Sequence, residues 1–394
     1  MFSRHDFFVR RLHEQPIRLV LALTGGGSEA ISQLFTVPGA SRIMVEAIVP
    51  YSSEALVDWL GATPEKFCDE RTARLMAMRA YERARLFEAR RTASVLTTMV
   101  PVSCVGLACT ASLASEPPKK GAHRFHIAWQ TATTTATASL ELIKRRRTRS
   151  EEEMLTADMI LNEIAAASGL ADRVPLTLFP SEGEVILSAQ VDAPREWQQL
   201  LSGEITAAKF FPHGEQPSSS NEPPHPKVIL PGAFRPLHDG HLQMAAVASQ
   251  MLKEPVAFEI SMTNVDKPPL DFKEMTRRAE QFAADQSLWF TRAPTFAEKS
   301  QIFPGATFVV GADTILRIAD PKYYGGDISQ RDRAIEQLAS RACRFLVFGR
   351  LHAGAFQTID DLPLPHPLRA LCIPVPAEQF RLDISSTELR EQEN

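Results

Sequence analysis

The chain has 394 residues, 44% hydrophobic and 23% charged, with a formal net charge of −4. These values belong to a globular protein of two or three domains with real apolar cores, and they lack the basic balance of a nucleic-acid binder. Five scattered cysteines (Cys68, Cys104, Cys109, Cys343 and Cys372) form no C-x-x-C, which excludes a disulfide framework or a zinc site and points to a reducing compartment.

The N-terminal M-F-S-R-H-D-F-F-V-R-R-L-H-E has no apolar core and no small-residue cleavage site, so it does not read as a secretory signal. Its Arg and Phe content resembles a mitochondrial presequence, but Asp6 and Glu14 argue for an ordinary helical start. The expectation is a soluble, cytoplasmic protein. Ile17–Leu23 reads as a first strand, Thr24-Gly25-Gly26-Gly27-Ser28 as a turn and Glu29–Phe35 as a helix. Such a turn can hold an anion on its backbone N–H groups, or be simply a tight connection. A strand is expected near Ile43–Val49, a short helix over Tyr51–Gly61 and a long charged helical region over Pro64–Arg91. Ser94–Ser115 carries no charge, yet Pro101, Gly106 and its Ser and Thr residues suit a buried strand and loop better than a membrane span. Lys144–Arg149 (K-R-R-R-T-R) reads as a solvated strand end before a helix with Ser150 as N-cap and Glu151–Glu153 in its first turn, rather than as a nucleic-acid patch.

Val185–Leu187 reads as a strand and Trp197–Leu201 as a helical turn; His213–Pro226 is a Pro/Ser-rich linker. The expected division is therefore residues 1–170, a connecting segment 171–226, and residues 227–394. In the last part Val228–Leu230 is a short buried strand, and the helix from Leu242 counts Leu242, Ala245, Ala246 and Met251 among its apolar positions. Further strands are expected at Ala257–Met262, Trp289–Thr291, Phe308–Val310 and Phe345–Phe348, with a helix from Phe272 to Arg278. Alternating strands and helices predict a doubly wound parallel sheet, so the fold class is two α/β domains.

Between the strand at Val228 and the helix at Leu242 lies P-G-A-F-R-P-L-H-D-G-H, a strand-to-helix junction where open parallel sheets bind ligands. Its spacing G-x-F-x-P-x-H-x-G-H, carried by Gly232, Phe234, Pro236, His238, Gly240 and His241, resembles the signature of the nucleotidylyltransferase superfamily, which includes nicotinamide-nucleotide adenylyltransferase and phosphopantetheine adenylyltransferase. Val309-Val310-Gly311-Ala312-Asp313 looks like the family's strand ending in Gly-Ala-Asp, and Ile384–Arg390 (I-S-S-T-E-L-R) like its late motif. The resemblance implies a Rossmann-like domain that joins a phosphate-bearing acceptor to the α-phosphate of a nucleoside triphosphate, releasing pyrophosphate. It implies catalytic roles for His238, His241 and Arg390. Gly232, Phe234, Gly240, Gly311, Asp313, Ser385, Ser386 and Thr387 would surround the nucleotide and its phosphates. Asn264, Lys267 and Arg277 would contact substrate. For Asp313 the alternative is a helix N-cap. Magnesium would come with the triphosphate, with no dedicated protein metal site. The family's tryptophan-bearing segment is replaced by Pro321-Lys322-Tyr323-Tyr324, which leaves the acceptor open.

In the first half, the T-G-G turn, Val37-Pro38-Gly39-Ala40-Ser41 and Tyr51-Ser52-Ser53-Glu54-Ala55 resemble the C-terminal domain of the competence/damage-inducible protein A family, whose active members are nicotinamide-nucleotide amidases. Phe125–Trp129 and a helix over Glu151–Ala167 fit its last strand and helix. Ser41 stands where that family has its nucleophile and Tyr51 begins the next motif, but Leu56 replaces the lysine base. Leu21-Ala22-Leu23 replaces the polar residues before T-G-G, and Cys109–Pro117 replaces a glycine-rich loop. These departures imply a degenerate amidase domain kept for binding or oligomerisation. The expected function is a nucleotidylyltransferase, reading as AMP transfer from ATP to an acceptor such as nicotinamide or nicotinate mononucleotide. Its partners would be ATP or another nucleoside triphosphate and a phosphorylated small molecule, with no membrane or nucleic acid; a homo-oligomer is compatible. The alternatives are a non-catalytic nucleotide-binding or scaffold protein, or a bifunctional protein with residual amidase activity.

Overall fold

A computed structural model describes residues 4–93, 102–210, 225–263, 267–352 and 355–380. The chain divides into two compact units. One comprises the described residues of Met1–Ser202 together with those of Asp266–Glu274; the other comprises those of Gly203–Val265 and Met275–Asn394.

The first unit runs α1 (Arg4–His13), β1 (Ile17–Thr24), α2 (Glu29–Thr36), β2 (Met44–Ile48), α3 (Ser53–Leu60), α4 (Glu70–Ala93), β3 (Ser103–Ser112), β4 (His123–Gln130), β5 (Thr134–Leu142), α5 (Arg149–Ser168), β6 (Leu187–Asp192) and α6 (Arg195–Ser202). Its six-stranded sheet has the order β2-β1-β3-β4-β5-β6. The first three strands are parallel, and β3 to β6 pair antiparallel. Two pairs of apolar residues explain why β1 is an unbroken apolar run: Leu19 and Leu21 enter one core, with α1, α2 and α5, while Val20 and Ala22 enter the other, with α3 and α4. Helix α4 lies close on the sheet because it offers Ala73, Ala77, Ala80 and Ala84 there. Gly106 is the facing residue of β3: a Cβ on it would sit 2.1 Å from the Tyr81 nitrogen and 2.2 Å from the Ala77 oxygen.

Several expected details change. The N-cap of α5 is Thr148, not Ser150: its hydroxyl accepts from the Glu151 N–H, and the Glu151 carboxylate accepts from the Thr148 N–H in return. The basic run before it follows the end of β5 and is largely exposed, as expected, but it is also tied down. Arg147 is buried against Glu184 at 2.6 Å, Arg146 pairs with Glu182, and Lys144 donates to the carbonyls of Lys119 and Lys120. Strand β6 starts at Leu187, where the Val185–Leu187 reading ended. Phe125–Trp129 lies in β4, with β5 and β6 following it in the sheet. Residues 102–115 of the uncharged stretch are described, and Ser103–Ser112 form the buried β3. Among the described residues no helix is long and apolar enough to cross a membrane.

The second unit begins with β7 (Ala207–Phe210), so part of the stretch read as a connection is built into a sheet. There follow β8 (Val228–Pro231), α7 (Asp239–Leu252), β9 (Val256–Ser261), α8 (Phe272–Ala279, which belongs to this unit from Met275 on), β10 (Leu288–Thr291), α9 (Phe296–Ile302), β11 (Thr307–Gly311), α10 (Ala312–Ala319), α11 (Ile328–Ser340) and β12 (Arg344–Phe348). A small antiparallel pair, β13 (Arg350–His352) and β14 (Ala355–Gln357), precedes α12 (His366–Arg369) and β15 (Cys372–Pro374). The sheet order is β15-β12-β11-β8-β9-β10-β7, parallel except for the edge strand β7. Counted from β8, the parallel strands follow the doubly wound order 3-2-1-4-5-6, and the direction of winding reverses between β8 and β11. Ile229, Phe308, Val310, Phe345 and Val347 bury one face of the sheet against Ile315, Ile335 and Leu338. Leu242 and Ala246 of α7, read as apolar positions, are exposed; Gly240 and Ala248 are the buried ones.

Candidate active site

The candidate site lies at the carboxyl ends of β8 and β11, in the two segments that follow them. After β8 the chain turns at Gly232, whose N–H donates to the Glu259 carbonyl of β9 at 2.9 Å. Glycine is required here because a Cβ would lie 2.7 Å from the Phe234 ring. Phe234 takes a left-handed backbone, φ +43°, which turns its side chain inward. The ring packs edge-on to Phe258, Phe282 and His241, with centroids 5.0–5.5 Å apart. Phe234 is thus a buried anchor for the loop rather than a group facing ligand.

The loop is also held from α8 and the turn beyond it. Arg278 donates to the Ala233 carbonyl at 3.0 Å. Gln281 donates to the Phe234 carbonyl at 3.1 Å and accepts the Leu237 N–H at 2.8 Å. Neither residue was marked by the sequence reading, which chose Arg277. The structure leaves Arg277 exposed and buries its neighbour Arg278.

His238 is the N-cap residue of α7, and Gly240 and His241 lie in its first turn. The two imidazoles stack with centroids 3.7 Å apart and planes at 29°. The His238 N–H donates to His241 Nδ1 at 3.3 Å, so in the neutral ring the proton is on Nε2, which is left as a donor. Burial, with the nearby His238 charge adding to it, lowers the His241 pKa to about 4. Burial also lowers that of His238, opposed by Asp239. Both rings are therefore neutral near pH 7: hydrogen-bond donors at a helix N-terminus, where phosphate is favoured.

On the adjacent strand, Gly311 is the N-cap of α10, and a Cβ there would meet nothing within 4 Å. Asp313 is not the N-cap; it lies in the first turn of the helix and pairs with Arg350, a residue the sequence reading missed. Lys267 is exposed and belongs to the first unit. Asn264, Ser385, Ser386, Thr387 and Arg390 lie outside the described residues. The structure thus brings Gly232, Phe234, His238, Gly240 and His241 into one junction, with Gly311 at the end of the neighbouring strand and Asp313 in the helix that follows it.

The amidase-like positions of the first unit do not assemble in this way. Ser41 is exposed in a short 3₁₀ turn (Ala40–Arg42), and its carbonyl accepts from Arg18. Tyr51 is 69% exposed, whereas Leu56 is buried in the core with Val20 and Ala22. The glycine turn is packed shut: a Cβ on Gly25 would be 1.9 Å from the Ala111 oxygen, and one on Gly26 2.6 Å from Leu113 Cδ1. The anion at the N-terminus of α2 is the chain's own Glu153, which accepts from the Ser28 hydroxyl at 2.9 Å and the Glu29 N–H at 3.4 Å. Burial would raise its pKa, but hydrogen bonds from Gly27, Ser28 and Glu29 hold it below the ordinary value.

Residues 229–392 match the family model described as cytidylyltransferase-like. No curated protein matches the chain. Among solved structures, the competence/damage inducible protein CihA from Agrobacterium tumefaciens is 18% identical, with a TM-score of 0.31, over 44% of this chain and 99% of its own. A competence-damaged protein (CinA) superfamily member from Escherichia coli is 16% identical, with a TM-score of 0.29, over 43% and 92%. One from Enterobacter cloacae is 15% identical, with a TM-score of 0.30, over 42% and 98%.

Proposed function

With a cytidylyltransferase-like domain as the premise, we propose that this protein transfers a nucleoside monophosphate, AMP from ATP, to the phosphate of a small acceptor such as nicotinamide or nicotinate mononucleotide. The observation that carries the reading is the stacked pair His238 and His241 at the N-terminus of α7, beside the point where the sheet reverses its winding. An acceptor phosphate is already a nucleophile at neutral pH, so no base is needed. Its oxygen attacks the α-phosphorus while the bond to the bridging oxygen of pyrophosphate breaks. The donor N–H groups of His238 and His241 take the charge that grows on the non-bridging oxygens. A neutral, low-pKa imidazole suits this role, since it donates without giving up its proton. Among the described residues no group of three or more His, Cys, Asp or Glu is placed to hold a metal. A magnesium ion would arrive on the triphosphate's own oxygens, where it screens charge. Resemblance of the first half to nicotinamide-nucleotide amidases supports a nicotinamide or nicotinate nucleotide as acceptor.

The test is pyrophosphate release by purified protein with magnesium, ATP or CTP, and nicotinamide mononucleotide, nicotinate mononucleotide or phosphopantetheine. Acceptor-dependent release should fall about 10²- to 10³-fold in His241→Ala, with triphosphate affinity changed far less. Triphosphate binding without release for any pair would replace this reading with a non-catalytic nucleotide-binding protein.

A further inference from the structure

The first unit contains a cavity of about 300 Å³ that lies away from the glycine turn and is lined by Arg10, His13, Glu14, Gly39 and Arg42, among others. His13, at the end of α1, is 1% exposed, yet neither ring nitrogen has a hydrogen-bond partner. The carbonyls of Pro38 and Leu34 lie near the ring but outside hydrogen-bonding geometry. A buried imidazole without a partner costs stability unless something else satisfies it. Gly39 keeps the approach to that ring clear: its φ is +120°, and a Cβ would press on His13 Nδ1 at 3.1 Å.

The charges of the lining define what would fit. Arg10 and Arg42 bring two guanidinium groups, suited to the oxygens of a phosphate, and Glu14 brings one acceptor, suited to a hydroxyl. The volume is at the small end for ligand sites, enough for a phosphate with a short polyol and too small for a dinucleotide. We propose that this cavity binds a small phosphate monoester carrying hydroxyl groups, with Arg10 and Arg42 on the phosphate, Glu14 on a hydroxyl, and His13 completing the contacts from below. The site is separate from the His238–His241 junction and does not depend on the transferase reading.

Titration calorimetry on the full chain tests it, with ribose 5-phosphate, inorganic phosphate and ribose as probes. Ribose 5-phosphate should bind, and ribose should not. Arg42→Ala, at an exposed position, should weaken ribose 5-phosphate and phosphate at least about tenfold while leaving the melting temperature unchanged. Glu14→Ala should weaken ribose 5-phosphate but not phosphate. His241→Ala should leave the affinity unchanged, which separates this site from the transferase crevice. The proposal is overturned by the absence of ribose 5-phosphate binding at millimolar concentration, by binding indifferent to Arg42→Ala, or by binding abolished in His241→Ala.

Discussion

The two units each contain a strand, a glycine-bearing turn and a helix, and they use that junction in opposite ways. In the first, β1 leads through Gly25–Gly27 into α2, and the place an external anion would take is filled by Glu153. In the second, β8 leads through Gly232 into α7, and the helix N-terminus carries two stacked neutral imidazoles. The difference teaches that a glycine turn before a helix is only half of an anion site. What decides is whether another segment of the same chain delivers a carboxylate, and here α5 does so in the first unit.

The largest test of the comparison concerns the loop's support. Arg278→Ala leaves the Ala233 carbonyl without its donor and should lower pyrophosphate release about ten- to a hundredfold, equivalent to about 1–3 kcal/mol. An unchanged rate would mean that Arg278 does not position the loop. Next comes Gly232→Ala, which forces a Cβ against Phe234; chemical denaturation should show a loss of about 1–3 kcal/mol, and an unchanged midpoint would show that the ring can move aside.

Glu153→Gln removes the internal anion from α2 and should cost about 1 kcal/mol, measured by urea unfolding. Its carboxyl pKa is depressed in the folded state, so this contribution is present above the ordinary carboxyl pKa and fades as pH falls through the lower folded value. The wild-type and Gln curves should therefore converge in acid.

The smallest effect belongs to His241. Its folded pKa, about 4, lies below the ordinary 6.5, so between these values the unfolded chain binds a proton that the folded chain refuses. Stability should fall as pH drops from 6.5 toward 4, and His241→Gln should flatten that slope; because the ring is only part-buried, under about 1 kcal/mol is expected. A slope identical in both proteins would place the titration elsewhere.

Some of this was legible in the sequence because the signal is local. The apolar run Ile17–Leu23, the strand–loop–helix at Val228–His241 and the strand ending at Gly311 are each set by a few consecutive residues, and the family likeness of the second half rests on their spacing. Tertiary structure decided what adjacent residues do. Neighbours on a helix point about 100° apart, so Arg277 and Arg278 look equivalent in a sequence while the structure buries Arg278 against the Ala233 carbonyl and leaves Arg277 exposed. Thr148 and Ser150 are both good caps, and the reciprocal bond with Glu151 selects Thr148. The Arg147–Glu184 pair spans 37 positions, and the Glu153 anion reaches Ser28 across 125, so neither contact leaves a pattern along the chain. Sequence fixed which chemistry each segment could support, because residue type and short-range spacing set local backbone and donor groups. Only the packing of distant segments settled that Glu153 fills the first glycine turn, because a buried polar group takes whatever partner the fold brings within reach.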